Sequence, residues 1–258
     1  MVNEGNAPSR VFPHLLYAGT VEHRDVSPAE PVAYWFWLGD EGSAVHFLIM
    51  HQAIIAGVDE VGRGALAGPV VAAACVCSRK MWRGFRRGIA DSKMLSPEER
   101  EVAYLYFTTY CPYGVGFVEA EIVDREGILT ATERAMQKAV AMLSQKITPT
   151  YLLIDGRDKF WFDLPHSSII RGDESEECIA AASIIAKVTR DRFMRQQDAA
   201  FPLYGFFEHK GYGTPFHQDA IRQHGPCPLH RQSFLGILEP SAMPSRAFFP
   251  KKKTSPHS

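Results

Sequence analysis

An α/β domain with a mixed sheet and a helical C-terminal part is what the sequence predicts, and three observations carry that reading. Short apolar runs at residues 54–58, 70–77 and 151–154 have strand length, and carboxylates follow the first and the last of them. Segments 97–110, 129–146 and 179–197 have the length and the end signals of helices. Hairpin spacing dominates the first half, and strand–helix alternation the second.

Taken in order, residues 1–50 read poorly as a domain. They hold scattered prolines, the aromatic cluster Tyr34-Trp35-Phe36-Trp37, and no sustained helical or strand period. Met50 directly precedes a strong strand, so one expectation is that translation begins there and the first 49 residues are an artefact or a poorly ordered extension. Residues 54–58 form a strand that ends at Asp59-Glu60 and the turn Gly62-Arg63-Gly64. Residues 70–77 and 114–119 make two more strands, separated by the basic stretch 79–87 and a helix at 97–110. Ser96 is the expected N-cap of that helix, with Pro97 at its first position and Glu98-Glu99 in its first turn. A helix over 129–146 leads to a strand at 151–155, and 168–171 is one further strand. The Ala-rich segment 179–197 is a long helix, and another lies near 214–224. The domain therefore spans 51–239, and the proline- and lysine-rich tail 240–258 is expected to be disordered.

Composition narrows the function classes. Of 258 residues 46% are hydrophobic and 22% charged, which is globular usage. Net charge is −1, but residues 1–50 hold two cations against six anions, which leaves +3 on the remainder. Nucleic-acid binding would then need a local patch. Five cysteines without a CxxC pair exclude a disulfide framework or a structural zinc and point to a reducing cytoplasm. No apolar run reaches membrane-helix length, and the first ten residues lack the pattern of a secretory signal. Nothing demands more than a monomer.

The chemistry-bearing residues are carboxylates at element ends. Adjacent strand residues point to opposite faces, so Asp59 and Glu60 converge only where the strand ends and bends, and Gly62 and Gly64 supply such a bend. A solvated charged turn is the plainer reading of a lone Asp-Glu pair. Asp155 ends a buried strand at the sheet's carboxyl edge, where α/β proteins place ligands, or simply forms a turn before Gly156. Asp173 precedes the long helix as a cap or a site residue, with Glu174, Glu176 and Glu177 beside it. Four carboxylates together suit Mg²⁺ or Mn²⁺ rather than zinc. Five cations within residues 79–87, interleaved with Trp82 and Phe85, fit phosphate contact or a solvated loop. Lys93, Lys187 and Lys210 are single cations, none specific alone.

In this order the motifs resemble those of the ribonuclease HII family, the type 2 ribonucleases H. The matching segments are Ala56-Gly57-Val58-Asp59-Glu60-Val61-Gly62-Arg63-Gly64, Asp91-Ser92-Lys93-Met94-Leu95, Leu153-Ile154-Asp155-Gly156 and Gly172-Asp173. They continue with Ala181 through Asp191, His209-Lys210-Gly211-Tyr212-Gly213-Thr214 and His230-Arg231-Gln232-Ser233-Phe234. The resemblance implies an RNase H-like fold, a central five-stranded mixed sheet flanked by helices. It implies hydrolysis of the RNA strand of RNA–DNA hybrids, and nicking of duplex DNA 5′ of a single embedded ribonucleotide, with 3′-hydroxyl and 5′-phosphate ends. It implies two divalent ions held by Asp59, Glu60, Asp155 and Asp173, with Asp59 and Asp173 at the ion that activates water. Gly62, Arg63 and Gly64 would read the 2′-hydroxyl through the backbone. Tyr212 would stack on the following deoxyribose, and Lys93, Lys187 and Lys210 would contact phosphates.

Some features depart from the resemblance. The leader matches nothing recognisable, and Glu174–Glu177 is an unusual acidic run beside the fourth carboxylate. The tail Phe248-Phe249-Pro250-Lys251-Lys252-Lys253 has the two aromatic anchors and basic flank of a docking peptide but lacks the glutamine and aliphatic anchors of a sliding-clamp peptide, so a clamp-type partner is possible but unsupported. Arg63 and the acidic 50-residue leader argue against the related type 3 enzymes, which the resemblance gives a larger N-terminal domain and a lysine in the glycine turn. Four clustered anions argue against a non-catalytic binder.

Overall fold

The computed structural model describes residues 31–34, 49–86 and 95–237. Lys93, Arg87 and the tail 240–258 lie outside them. Strands β1 (Pro31–Tyr34) and β2 (Ile49–Gln52) pair antiparallel as a small separate ribbon. The leader thus contains a strand where no strand period was evident, because four residues are too few to show one.

The main sheet has five strands in the order β5-β4-β3-β6-β7. They are β3 (Ile55–Val61), β4 (Val70–Cys75), β5 (Tyr113–Val118), β6 (Tyr151–Asp155) and β7 (His166–Ile169). β3, β4 and β5 run antiparallel as a meander, and β6 and β7 add in parallel on the other side of β3. The sheet is mixed, as expected. Alternation along β3 sorts its side chains between two cores. Ala56 and Val58 face α4 (Ile128–Ser144), alongside Met136, Leu152 and Ile154. Gly57 faces α6 (Glu177–Asp198), and a Cβ there would sit 2.2 Å from the backbone of Cys178 and Ile179. Only glycine lets this helix lie so close to the central strand.

Helix α2 (Pro97–Tyr110) begins as the sequence predicts. The Ser96 hydroxyl accepts the Glu99 N–H at 3.1 Å, and the Glu99 carboxylate accepts the Ser96 N–H at 2.8 Å, a complete capping box. The basic stretch is itself a helix, α1 (Arg79–Arg86). Its aromatic interleaving is core spacing: Trp82 and Phe85 are buried three residues apart, and Trp82 stacks on Phe107 at 5.4 Å. Lys80 and Arg83 remain on the surface.

Three short helices were not evident in the sequence: α3 (Ala120–Glu126), α5 (Gly172–Ser175) and α7 (Phe206–His209). The strand expected over 168–171 is β7, two residues earlier. It stops at Ile169 because Arg171 turns left-handed (φ 56°) to start α5. α8 (Pro215–His224) is capped by Thr214, and a 3₁₀ turn (Gln232–Ile237) closes the described chain. These last elements gather Leu66, Met194, Tyr204, Phe206, Ile221 and Leu235 into a third core.

Candidate active site

The strand register places the acids. Val58 pairs with Ile154 across the parallel β3–β6 edge, so Asp59 and Asp155 are the next residues on adjacent strands, at the carboxyl end of the sheet. Both follow by two a residue that faces α6. β3 does not end at the acidic pair: its ladder with β4 continues to Val61–Val71, so Asp59 and Glu60 leave the strand on opposite faces. The bend expected to make them converge comes too late. Asp59 is joined instead by Asp155 from the neighbouring strand.

Asp59 is buried, and one of its oxygens accepts the Glu60 N–H at 2.7 Å. Burial, then the neighbouring Glu60, push its carboxyl well above the usual range; the Ser183 hydroxyl on α6 partly offsets this, and Asp155 adds to the rise. Glu60 is also raised by burial, against the pull of Arg63, whose guanidinium stands 3.1 Å from it and 2.6 Å from Asp158. Asp155 accepts the N–H groups of Gly172 (2.7 Å) and Asp173 (3.4 Å) at the start of α5, which the left-handed Arg171 aims at it. Asp173 is raised by burial, by Asp155 and by Glu174.

The four predicted carboxylates are therefore electrostatic neighbours, and among the described residues no Lys, Arg or His pairs with Asp59, Asp155 or Asp173. Nor, among those residues, do any three acidic, His or Cys side chains close into a cage. Their chemistry fits a hard divalent cation: every donor is a carboxylate oxygen, and the charge they share is largely uncompensated.

The glycine turn divides its work. Gly62 is buried with φ 90°, and a Cβ on it would lie 2.2 Å from Arg190 Nε, so its glycine serves packing inside the protein. Gly64 is exposed with open space above it, so its backbone is the part a ligand can approach. Arg63 is engaged by the two carboxylates. Lys187 pairs with Asp191 at 2.9 Å. Lys210 is left-handed (φ 54°), and its ammonium donates to the carbonyls of Phe207 and Glu208. Neither lysine extends freely towards a substrate. The acidic run is partly neutralised, because Arg171 holds Glu174 at 2.6 Å and Arg79 lies 3.5 Å from Glu177.

Tyr212 is half-buried, with Arg190 Cζ 5.2 Å and Lys187 Nζ 5.7 Å from its ring centre. Beneath it runs a histidine relay. The Cys227 N–H donates to His230 Nδ1, which leaves the His230 Nε2 proton facing His217 Nε2 at 3.0 Å. His217 Nδ1–H then donates to the Tyr212 carbonyl at 2.9 Å. Burial lowers His217 to about 3 and His230 to about 4, so both are neutral in the folded protein. This relay, Asp158, Arg190 and Arg231 were not picked out from the sequence. A signal existed for Arg190: Ala182, Ala186 and Arg190 recur every fourth residue on the buried stripe of α6.

A mixed five-stranded sheet with acids at the tips of its central strands, under a glycine turn, defines a metal-dependent nucleic-acid hydrolase of ribonuclease H architecture. Residues 56–236 match the family model for ribonuclease HII. A ribonuclease HII of Geobacter metallireducens is 49% identical over 186 residues, covering 72% of this chain and 85% of that one. One of Chlamydia caviae is 50% identical over 195 residues, covering 72% and 86%. Among solved structures, the ribonuclease H2 of Pyrococcus horikoshii aligns with a TM-score of 0.57 at 27% identity, covering 72% of this chain and 96% of its own. The PCNA:RNase HII complex from Archaeoglobus fulgidus aligns at 0.59 and 25%, covering 71% and 94%. The chain belongs to the ribonuclease HII family. It is a divalent-metal-dependent endonuclease that cleaves the RNA strand of RNA–DNA hybrids. No helix among the described residues is long and apolar enough to cross a membrane.

Proposed function

We propose that this enzyme also nicks duplex DNA on the 5′ side of a single embedded ribonucleotide, leaving a 3′-hydroxyl and a 5′-phosphate. The observation that carries the reading is the side-by-side placement of Asp59 and Asp155 with uncompensated charge, next to a turn whose Gly64 backbone is open. Two Mg²⁺ or Mn²⁺ ions held among Asp59, Glu60, Asp155 and Asp173 would polarise the scissile phosphate and stabilise the attacking and leaving oxygens. The backbone at Gly62-Arg63-Gly64 would meet the 2′-hydroxyl, the one group that separates RNA from DNA at a sugar. Tyr212 would lie against the next deoxyribose, where a second 2′-hydroxyl would clash. Arg63 pairs with Glu60 and Asp158, which fixes Glu60 beside the glycine turn. Lys93, Lys187 and Lys210 would contribute phosphate contacts, the last two after leaving their present partners. The catalytic domain would span 51–239 and act as a monomer in a reducing cytoplasm; the five cysteines are free thiols. The Archaeoglobus relative was solved with PCNA, but the tail here lacks the anchors for such a partner.

A labelled DNA duplex with one ribonucleotide, a uniform hybrid and an all-DNA duplex, each with Mg²⁺, Mn²⁺ or chelator, test the reading. A metal-dependent nick 5′ of the ribonucleotide supports it. Cleavage of the long hybrid alone would restrict the enzyme to hybrids and remove Tyr212 as a junction sensor.

A further inference from the structure

Two arginines are as deeply buried as any residue in the protein. Arg190 and Arg231 have no exposed surface, and the hydrogen bonds of both guanidinium groups go to backbone carbonyls. Burying a cation costs roughly several kcal/mol before compensation, so such a placement calls for an explanation. The targets supply one. Arg190 donates to Pro69 and Ala67 on the glycine-turn segment, and to Lys210 on the Tyr212 segment, each at 2.9 Å. It also backs Gly62 on one side and the Tyr212 ring on the other. Arg231 donates to the carbonyls of Arg63 (2.9 Å) and Gly68 (3.0 and 2.8 Å), on the glycine-turn segment only. The two segments also join directly, through the Leu66 N–H to the Gly211 carbonyl at 2.8 Å.

We propose that Arg190 is a positioning residue that sets the spacing between the glycine turn and Tyr212, and so sets how sharply the enzyme prefers a ribonucleotide–deoxynucleotide junction, without touching substrate. This rests on the reading of those two segments as the junction readers. A guanidinium suits the task because its rigid fork reaches three carbonyls in three directions. A lysine keeps the charge but donates from a single atom.

The test is the ratio of kcat/KM on the one-ribonucleotide duplex to kcat/KM on the uniform hybrid. Both are measured in one preparation, so any inactive fraction cancels. Arg190→Lys should lower this ratio by roughly tenfold or more, the scale of a misplaced binding group. Arg231→Lys, whose parent arginine makes no hydrogen bond to the Tyr212 segment, should lower it less. Tyr212→Ala should lower it, and adding Arg190→Lys to that variant should lower it little further. An unchanged ratio in Arg190→Lys beside a lowered one in Tyr212→Ala overturns this inference and leaves the junction reading intact. An unchanged ratio in Tyr212→Ala overturns the junction reading itself. Should Arg190→Lys not fold, Arg190→Gln takes its place, since its amide reaches fewer of the three carbonyls. A fall in the ratio there, absent when Tyr212→Ala is already present, supports the spacing role, and an unchanged ratio overturns it.

Discussion

On the neighbouring strands β3 and β6, Asp59 and Asp155 stand side by side with no cation paired to either among the described residues. Elsewhere in the domain, Arg190, Arg231, His217 and His230 are buried more deeply than either acid, yet their ring and guanidinium groups have hydrogen-bond partners. The acidic end holds unrelieved charge, which burial and mutual repulsion express as raised carboxyl pKa values. The floor under Tyr212 spends its polar groups on holding loops still. The contrast teaches that one region is set for a ligand and the other for geometry, and perturbing each should have opposite consequences.

The largest effect is expected at the acidic end. Asp59→Asn should cut cleavage by about 10²–10³-fold or more, as for loss of a preorganised charge-stabilising group. The same change should raise stability by about 1 kcal/mol in urea unfolding, because it removes a buried, repelled charge. A variant both inactive and less stable would break the comparison.

His217→Ala removes a link to the Tyr212 carbonyl and to His230 and leaves buried partners unmet. It should cost about 3 kcal/mol, from roughly 1–3 for each group left unsatisfied, by the same unfolding measurement. A stability within experimental error of the parent would show that the relay holds nothing.

Acidification separates the two regions by sign. His217 and His230 have folded pKa values below their unfolded value, so the unfolded chain binds more protons as pH falls from about 6.5 towards 4. Their contribution is complete above that window and is lost on the way down through it, by about 2 kcal/mol or more. Asp59 and Glu60 are raised on folding, so protonating them relieves the folded state and opposes that loss. Asp59→Asn should therefore lose more stability than the parent between pH 6.5 and 4, read from melting temperatures across pH. A smaller loss would contradict the assignment of raised carboxyls.

The smallest effect is expected at the exposed Arg171–Glu174 pair. Glu174→Gln should change stability by less than about 0.5 kcal/mol, since exposed ion pairs contribute little.

The acidic end was legible in the sequence because each acid follows an apolar run or precedes a helix, and the spacing of Leu152-Leu153-Ile154-Asp155 announces a strand tip. Ser96, Pro97 and Glu99 marked the start of α2 for a similar reason: capping is local chemistry. The expected strand end at Asp59 was misplaced because a non-local ladder with β4 carries β3 on to Val61. The stretch 79–87 reads in sequence as phosphate contact or a solvated loop, because the burial of Trp82 and Phe85 comes from Phe107, which is distant in sequence. The floor under Tyr212 stayed hidden because its partners are backbone carbonyls up to 168 positions away, and a carbonyl has no residue type to recognise.

The most direct measurement of the central claim follows thermal unfolding of the parent and of Asp59→Asn as Mn²⁺ is added in the absence of substrate. The parent should start lower and rise with the ion, and Asp59→Asn should start higher and rise little. Equal shifts in the two proteins, or none in the parent, would show that the acids at the strand tips are not a cation site.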